Sequence, residues 1–226
     1  MDAATAAGIL EKARNSVASG EGLGGTGFWK LVKEIKVDPS LDTFVDEVAE
    51  LDQKAFADWA LLTVPLWLGT TLMVAATIVG LVLVGLSYSA EGAWSAILLL
   101  AGTGVVLVTT HGLGHLVVGQ VAGIGFTSWF IGTLGRPQPG VKTDYRTYLR
   151  ASASGRAWMH AAGAIVTKIV PFVMIGAGLA ADVPVWAVLA LAAIGIVSIV
   201  TDILWSTSSS DWKKFLRERD LERQRS

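Results

Sequence analysis

Four long apolar runs set the pattern of this chain: roughly Trp59 to Tyr88, Trp94 to Ala122, Trp158 to Ala181 and Val183 to Trp205. About 20 apolar residues suffice to cross a hydrocarbon core as a helix, so each run predicts a transmembrane span. The first two are longer than a perpendicular helix needs and should tilt or extend past the lipid. Trp59, Trp94, Trp158, Trp186, Trp205 and Trp212 fall near the predicted ends, where indole rings favour the headgroup level.

Before the first run the period changes. Asp38-Pro39 supplies an N-cap and a first-turn proline, and Leu41, Phe44, Val45, Val48, Leu51 and Phe56 recur at helical spacing. This predicts an amphipathic helix running into the first span, with Asp42, Asp46, Glu47, Glu50, Asp52 and Asp58 on its polar face against a single Lys54. Anionic lipid would repel that face, so the helix should pack on the protein's own cytoplasmic side or on a partner. Residues 1 to about 27 are rich in Ala, Gly and Ser and read as a weak helix followed by a flexible linker. Between the second and third spans, Phe126 to Thr133 is apolar and β-prone and is followed by Arg136-Pro137-Gln138-Pro139-Gly140. A short hairpin or re-entrant loop fits this better than a helix. An edge there has one use in pairing with an extended substrate; an ordinary cytoplasmic connection is the plainer alternative.

Composition agrees with the pattern. Over 226 residues, 52% hydrophobic and 16% charged, the mean hydropathy is +0.54, too apolar for an ordinary soluble domain. The expected fold is an all-α membrane protein with four transmembrane helices. It divides into a cytoplasmic N-terminal region over residues 1–58, a transmembrane domain over 59–207 and a basic tail over 208–226. Residues 1–58 lack the apolar core of a secretory signal. Arg136, Lys142, Arg146, Arg150 and Arg156 lie in the loop after the second span, and Lys213, Lys214, Arg217, Arg219, Arg223 and Arg225 in the tail. By the positive-inside rule both are cytoplasmic, which puts both termini inside. The tail's cations alternate with Glu218, Asp220 and Glu222, so topology explains them better than nucleic-acid binding does. With no cysteine, a metal would have to use His, Asp or Glu.

The chemistry-bearing residues sit inside the apolar runs. All three histidines, His111, His115 and His160, fall within predicted spans, together with Lys168 and Asp202. Ionisable groups at such positions usually face the bundle interior and have a partner or a function. His111 and His115 are at i and i+4, on one helical face, which is metal-ligand spacing. At 1.5 Å per residue, His111 lies roughly 15 Å from the cytoplasmic end of its span, and Asp202 about 14 Å back from Asp211. The depths match, so His111, His115 and Asp202 form a plausible zinc triad with a fourth position left open. His160 is then an alternative ligand or a group hydrogen-bonded to one. The rival reading uses the same carboxylate differently. A buried Lys168 needs an anion, and Asp202 is the only one predicted within the spans. A neutral Lys168 acting as a substitute base is a third option. The histidines also have a role without metal, as interhelical hydrogen-bonding groups.

These residues resemble the site-2 protease family of intramembrane zinc metalloproteases. Its H-E-x-x-H motif, often H-E-x-G-H, corresponds here to His111-Gly112-Leu113-Gly114-His115. Its A-G-P-like element corresponds loosely to His160-Ala161-Ala162-Gly163-Ala164, and its later-span Asp to Asp202, without the surrounding L-D-G. The resemblance covers Trp94 to Trp212. It implies a three-helix core that binds zinc and cuts a transmembrane-helix substrate. Gly112 stands where the general base belongs, and a positioned base contributes about 10²–10⁴ in rate. The expectation is therefore a metal-binding, protease-like scaffold with impaired or absent peptidase activity. The alternatives are a structural or accessory membrane subunit whose polar cluster joins helices without metal, and a proton or ion pathway.

Overall fold

The computed structural model describes residues 1–133, 135, 139–205, 207 and 210–225, the side chains of 224 and 225 excepted. Arg136, Pro137 and Gln138 of the expected turn lie outside the described residues. The described chain is mostly helical and divides into two compact units. One comprises Met1–Leu66, Gly119–Arg156 and Glu218–Ser226, the other Trp67–Val118 and Ala157–Arg217.

The first unit begins with α1 (Ala3–Ala18), capped by the Asp2 carboxylate, which accepts from the Thr5 amide at 2.7 Å. Its buried stripe is Ala6, Leu10, Ala13 and Val17, spaced three or four apart as one helical face requires. The short α2 (Phe28–Ile35) starts after Gly27, whose φ of +91° favours a residue without a β-carbon. Helix α2 has no legible period in the sequence, because eight residues are too few to establish one. Asp38 caps as expected, accepting from the Ser40 amide, but Pro39–Phe44 form a 3-10 turn and the α-helix proper is α3 (Val45–Trp59). Helix α3 packs on α1 and on α6 (Tyr145–Arg150). Asp52, placed on the polar face by its spacing, is buried and paired with Lys142.

A three-stranded antiparallel sheet completes this unit, in the order β1 (Leu62–Pro65), β2 (Phe126–Ile131), β3 (Pro139–Thr143). Leu62 pairs with Ile131 and Val64 with Trp129, and Trp129 in turn with Val141. The expected hairpin is thus present, with a strand added from before the first span. That strand shortens the span from its expected start at Trp59: α4 runs Leu66–Leu86. A continuous apolar run does not distinguish strand from helix, and here strand gives way to helix directly after Pro65, the last residue of β1. Glu218 is fully buried in this unit between Lys36, Tyr148 and Arg156, with Arg156 Nε donating to it at 2.7 Å. Burial alone would raise its carboxyl, yet Lys36 and Arg156 outweigh that and hold it below the usual glutamate range.

The second unit holds most of the four helices that are long and apolar enough to cross a membrane among the described residues: α4, α5 (Gly92–Val121), α7 (Ala153–Ala180) and α8 (Val185–Leu204). Helices α4 and α5 touch through glycine. A β-carbon on Gly80 would lie 3.0 Å from the Gly102 carbonyl, and Thr77 hydrogen-bonds Thr109 across the same seam at 2.7 Å. Small residues allow that approach, and a hydroxyl pair satisfies itself away from water. Val84, Leu99, Val106, Met174, Ala187 and Leu191 form the common core. The outer faces of α4 and α8 present large apolar side chains such as Trp67, Val79, Leu189 and Ile196, as a lipid-facing surface would. The chain closes with α9 (Asp211–Arg225).

Candidate metal centre

His111 and His115 stand one turn apart on α5, with Gly112 buried between them. Helix α7 comes close to this turn because both helices are small there. A β-carbon on Gly114 would lie 3.4 Å from the Ala162 backbone, and one on Gly163 would collide with the His115 ring. The imidazole therefore occupies the space that a side chain at 163 would fill. Its Nδ1 lies 2.7 Å from the Met159 carbonyl oxygen. A carbonyl only accepts, so Nδ1–H is the donor; the neutral ring then presents a lone pair at Nε2, while the imidazolium presents a second N–H there, able to donate to a carboxylate.

That nitrogen faces two further donors. His115 Nε2 is 3.3 Å from His111 Nε2 and 3.1 Å from Asp211 Oδ2, and His111 Nε2 is 3.4 Å from the same carboxylate oxygen. The imidazole planes are perpendicular, with centroids 4.7 Å apart. Asp211 reaches this point because Trp212 and Phe215, in the first turns of α9, pack on the Ala157, Ala161 and Ile165 face of α7. Phe215 also meets Trp158 at 5.8 Å. The other carboxylate oxygen, Oδ1, accepts from Lys214 at 3.1 Å. The two oxygens of Asp211 are thus divided between a cation on its own helix and the histidines. Burial by itself would raise the Asp211 carboxyl; the hydrogen bonds from His111 and His115, with the charge of Lys214, more than reverse this and hold it far below the usual range. His111 Nδ1 is buried with no hydrogen-bond partner among the described residues.

The spacing of the three donors can be compared with a metal's coordination shell. Donors at about 2.0–2.1 Å from a tetrahedral centre lie about 3.3–3.4 Å apart. The observed edges are 3.1, 3.3 and 3.4 Å. His111, His115 and Asp211 form the group able to hold a metal ion among the described residues.

Two of the three ligands expected from sequence come together, and the carboxylate that joins them is Asp211. Asp202, on α8, is ion-paired with Lys168 of α7, whose Nζ also donates to the Ala164 carbonyl at 3.1 Å. The rival pairing read from the sequence is therefore the one Asp202 makes. His160 lies on α7 next to Met159 and is not one of the converging donors. Asp211 is hidden in the sequence because it lies beyond the last apolar run, among the charges of the tail. The available signal was the pair Trp212 and Phe215, apolar at helical spacing in an otherwise charged tail, with Asp211 in the same first turn.

Comparison with protein-family models, curated proteins and solved structures finds no match to this chain.

Proposed function

We propose that this is an integral membrane metal-binding protein in which His111, His115 and Asp211 hold zinc, with both termini on the cytoplasmic side. One observation carries the reading: three donor atoms converge with tetrahedral spacing, and one of them has its tautomer set by a backbone carbonyl. Such a partner on the far nitrogen is what metal-ligating histidines ordinarily have. Zinc fits better than a six-coordinate ion at the same bond lengths, for which one octahedral face has edges of about 2.8–3.0 Å. Bound there, zinc would supply Lewis acidity beside an open coordination position.

The resemblance to intramembrane metalloproteases gives this centre a context. An apolar groove of about 470 Å³ runs beside it between α5 and α7, lined by Leu113, Gly114, Val117, Trp158, Ala162 and Val166. It suits a transmembrane helix, which satisfies its own backbone and asks only for packing. Gly112 brings no proton acceptor to the centre. The protein is accordingly read as a protease-like scaffold that binds metal and a membrane helix, with peptidase activity impaired or absent.

Elemental analysis of protein purified in detergent without chelator tests this. About one zinc per chain is expected in the wild type and in Asp202→Ala, and none in His111→Ala/His115→Ala or Asp211→Ala. A metal-free wild type overturns the reading. It would favour the second one, a structural or accessory subunit, for which the Lys168–Asp202 pair and the Asp211–histidine hydrogen bonds serve as glue between helices.

A further inference from the structure

The metal donors come from two elements that are held very differently. Helix α5 is 30 residues long and carries both histidines, while Asp211 is the first residue of α9, beyond the last apolar helix. Side chains dock the first two turns of α9: the Trp212 and Phe215 rings lie against Ala157, Ala161 and Ile165, Phe215 meets Trp158, Lys168 Nζ stands 5.9 Å from the Trp212 ring centroid, and Asp211 bonds the histidines. Around them, Lys213 and Arg217 are exposed, and Lys214 is half-buried against Asp211. A 15-residue helix is marginal alone, so tertiary contacts decide whether its first turns are formed. Further along, Glu218 and Leu221 are buried, which bounds the segment that the Asp211 donor governs at residues 211–217.

We infer that this segment is a metal-operated latch: an ion bound by His111, His115 and Asp211 clamps the first two turns of α9 onto α7, and its loss releases them. This rests on the proposed metal centre. The physical basis is linkage. An ion that needs all three donors binds the docked state and hardly binds the undocked one, so it stabilises docking by as much as docking strengthens its binding. Lys214 assists by keeping Oδ1, which leaves Oδ2 turned to the histidines. Conversely, whatever competes for the Trp212 and Phe215 face expels the ion.

Hydrogen exchange on the full-length protein in detergent, read by mass spectrometry with zinc or with chelator, tests the latch. With zinc at about 100 times its Kd, exchange of the amides in 211–217 should slow by up to about 100-fold relative to the chelated protein, as the open fraction falls. Exchange of 219–225 should change little, which makes it the internal control. In Asp211→Asn, exchange of 211–217 should be fast and indifferent to zinc. Trp212→Ala/Phe215→Ala, with every donor intact, should bind zinc at least about tenfold more weakly. Stoichiometric zinc with unchanged exchange in 211–217 overturns the latch and leaves the metal centre standing. So does wild-type zinc affinity in the double variant. Failure of the wild type to take up zinc at all overturns both.

Discussion

Asp202 and Asp211 are the same side chain nine positions apart, and they make opposite kinds of contact. Asp202 ends an apolar helix and is taken by a lysine. Asp211 begins a charged helix and faces two imidazoles. An ammonium has three donors and no lone pair, so in the Lys168–Asp202 pair charge is cancelled within the pair and the lysine offers a metal nothing. An imidazole whose Nδ1 is already committed has a lone pair to offer, and two of them with a carboxylate leave room for a shared cation. The difference lies in what the partners leave unused, rather than in the depth of the carboxylates or their burial.

The largest effect expected from sharpening this contrast concerns the missing proton acceptor. If the histidine centre lacks only its base, Gly112→Glu should retain zinc and raise cleavage of a membrane-helix substrate by about 10²–10⁴ over the wild type. Zinc binding with no cleavage above the wild type would mark the centre as a binding site only. Gly163→Ala comes next. Its methyl takes the place of the His115 ring, so zinc affinity measured by competition with a chelating dye should fall about tenfold or more, the size of an overpacking penalty. An unchanged affinity would mean that the ring does not need its present position.

The Lys168–Asp202 pair should behave otherwise. Asp202→Ala leaves Lys168 without its anion and should lower unfolding stability by about 1–3 kcal/mol, less than a fully buried pair because both side chains keep some exposure. Lys168→Met/Asp202→Leu should recover most of that loss with zinc content unaltered. A double variant no better than the single would show that the pair does more than cancel charge. The smallest effect is expected at Glu218, a third carboxylate held by cations. Its folded-state pKa lies below its ordinary 4.5, so its contribution is complete above that value and is lost as pH falls through the folded-state pKa. Thermal stability in detergent should fall more steeply below pH 4.5 for the wild type than for Glu218→Gln. Parallel curves would show that Glu218 titrates alike in the folded and unfolded protein.

The contrast also explains what the sequence disclosed. Four long apolar helices were legible because an uncharged run of that length has one economical solution, and the hairpin because β-prone residues are flanked by turn formers. Strand β1 was hidden: Leu62–Pro65 is the leading edge of an apolar run, and only its pairing with β2 separates it from the helix that follows. The histidine pair was legible from spacing alone. Its carboxylate was not, because depth was counted as though every functional residue lay within a hydrocarbon core about 30 Å thick. Helix α5 has 30 residues, about 45 Å at 1.5 Å each, so its last turns need not lie in that core, and a residue just past the last span can meet them. Asp52 went the other way, its position on a charged face giving no hint of Lys142.

The acceptor that fixes His115 belongs to the main chain of residue 159. No side-chain replacement at that position removes a carbonyl. The tautomer of the imidazole is therefore insulated from mutation at the residue that sets it, while the neighbouring turn tolerates almost nothing larger than hydrogen at 163. Among homologues, 159 should vary among side chains that fill the same buried space, and 163 should be narrower still. A survey that scores functional contacts by polar side chains would pass over both.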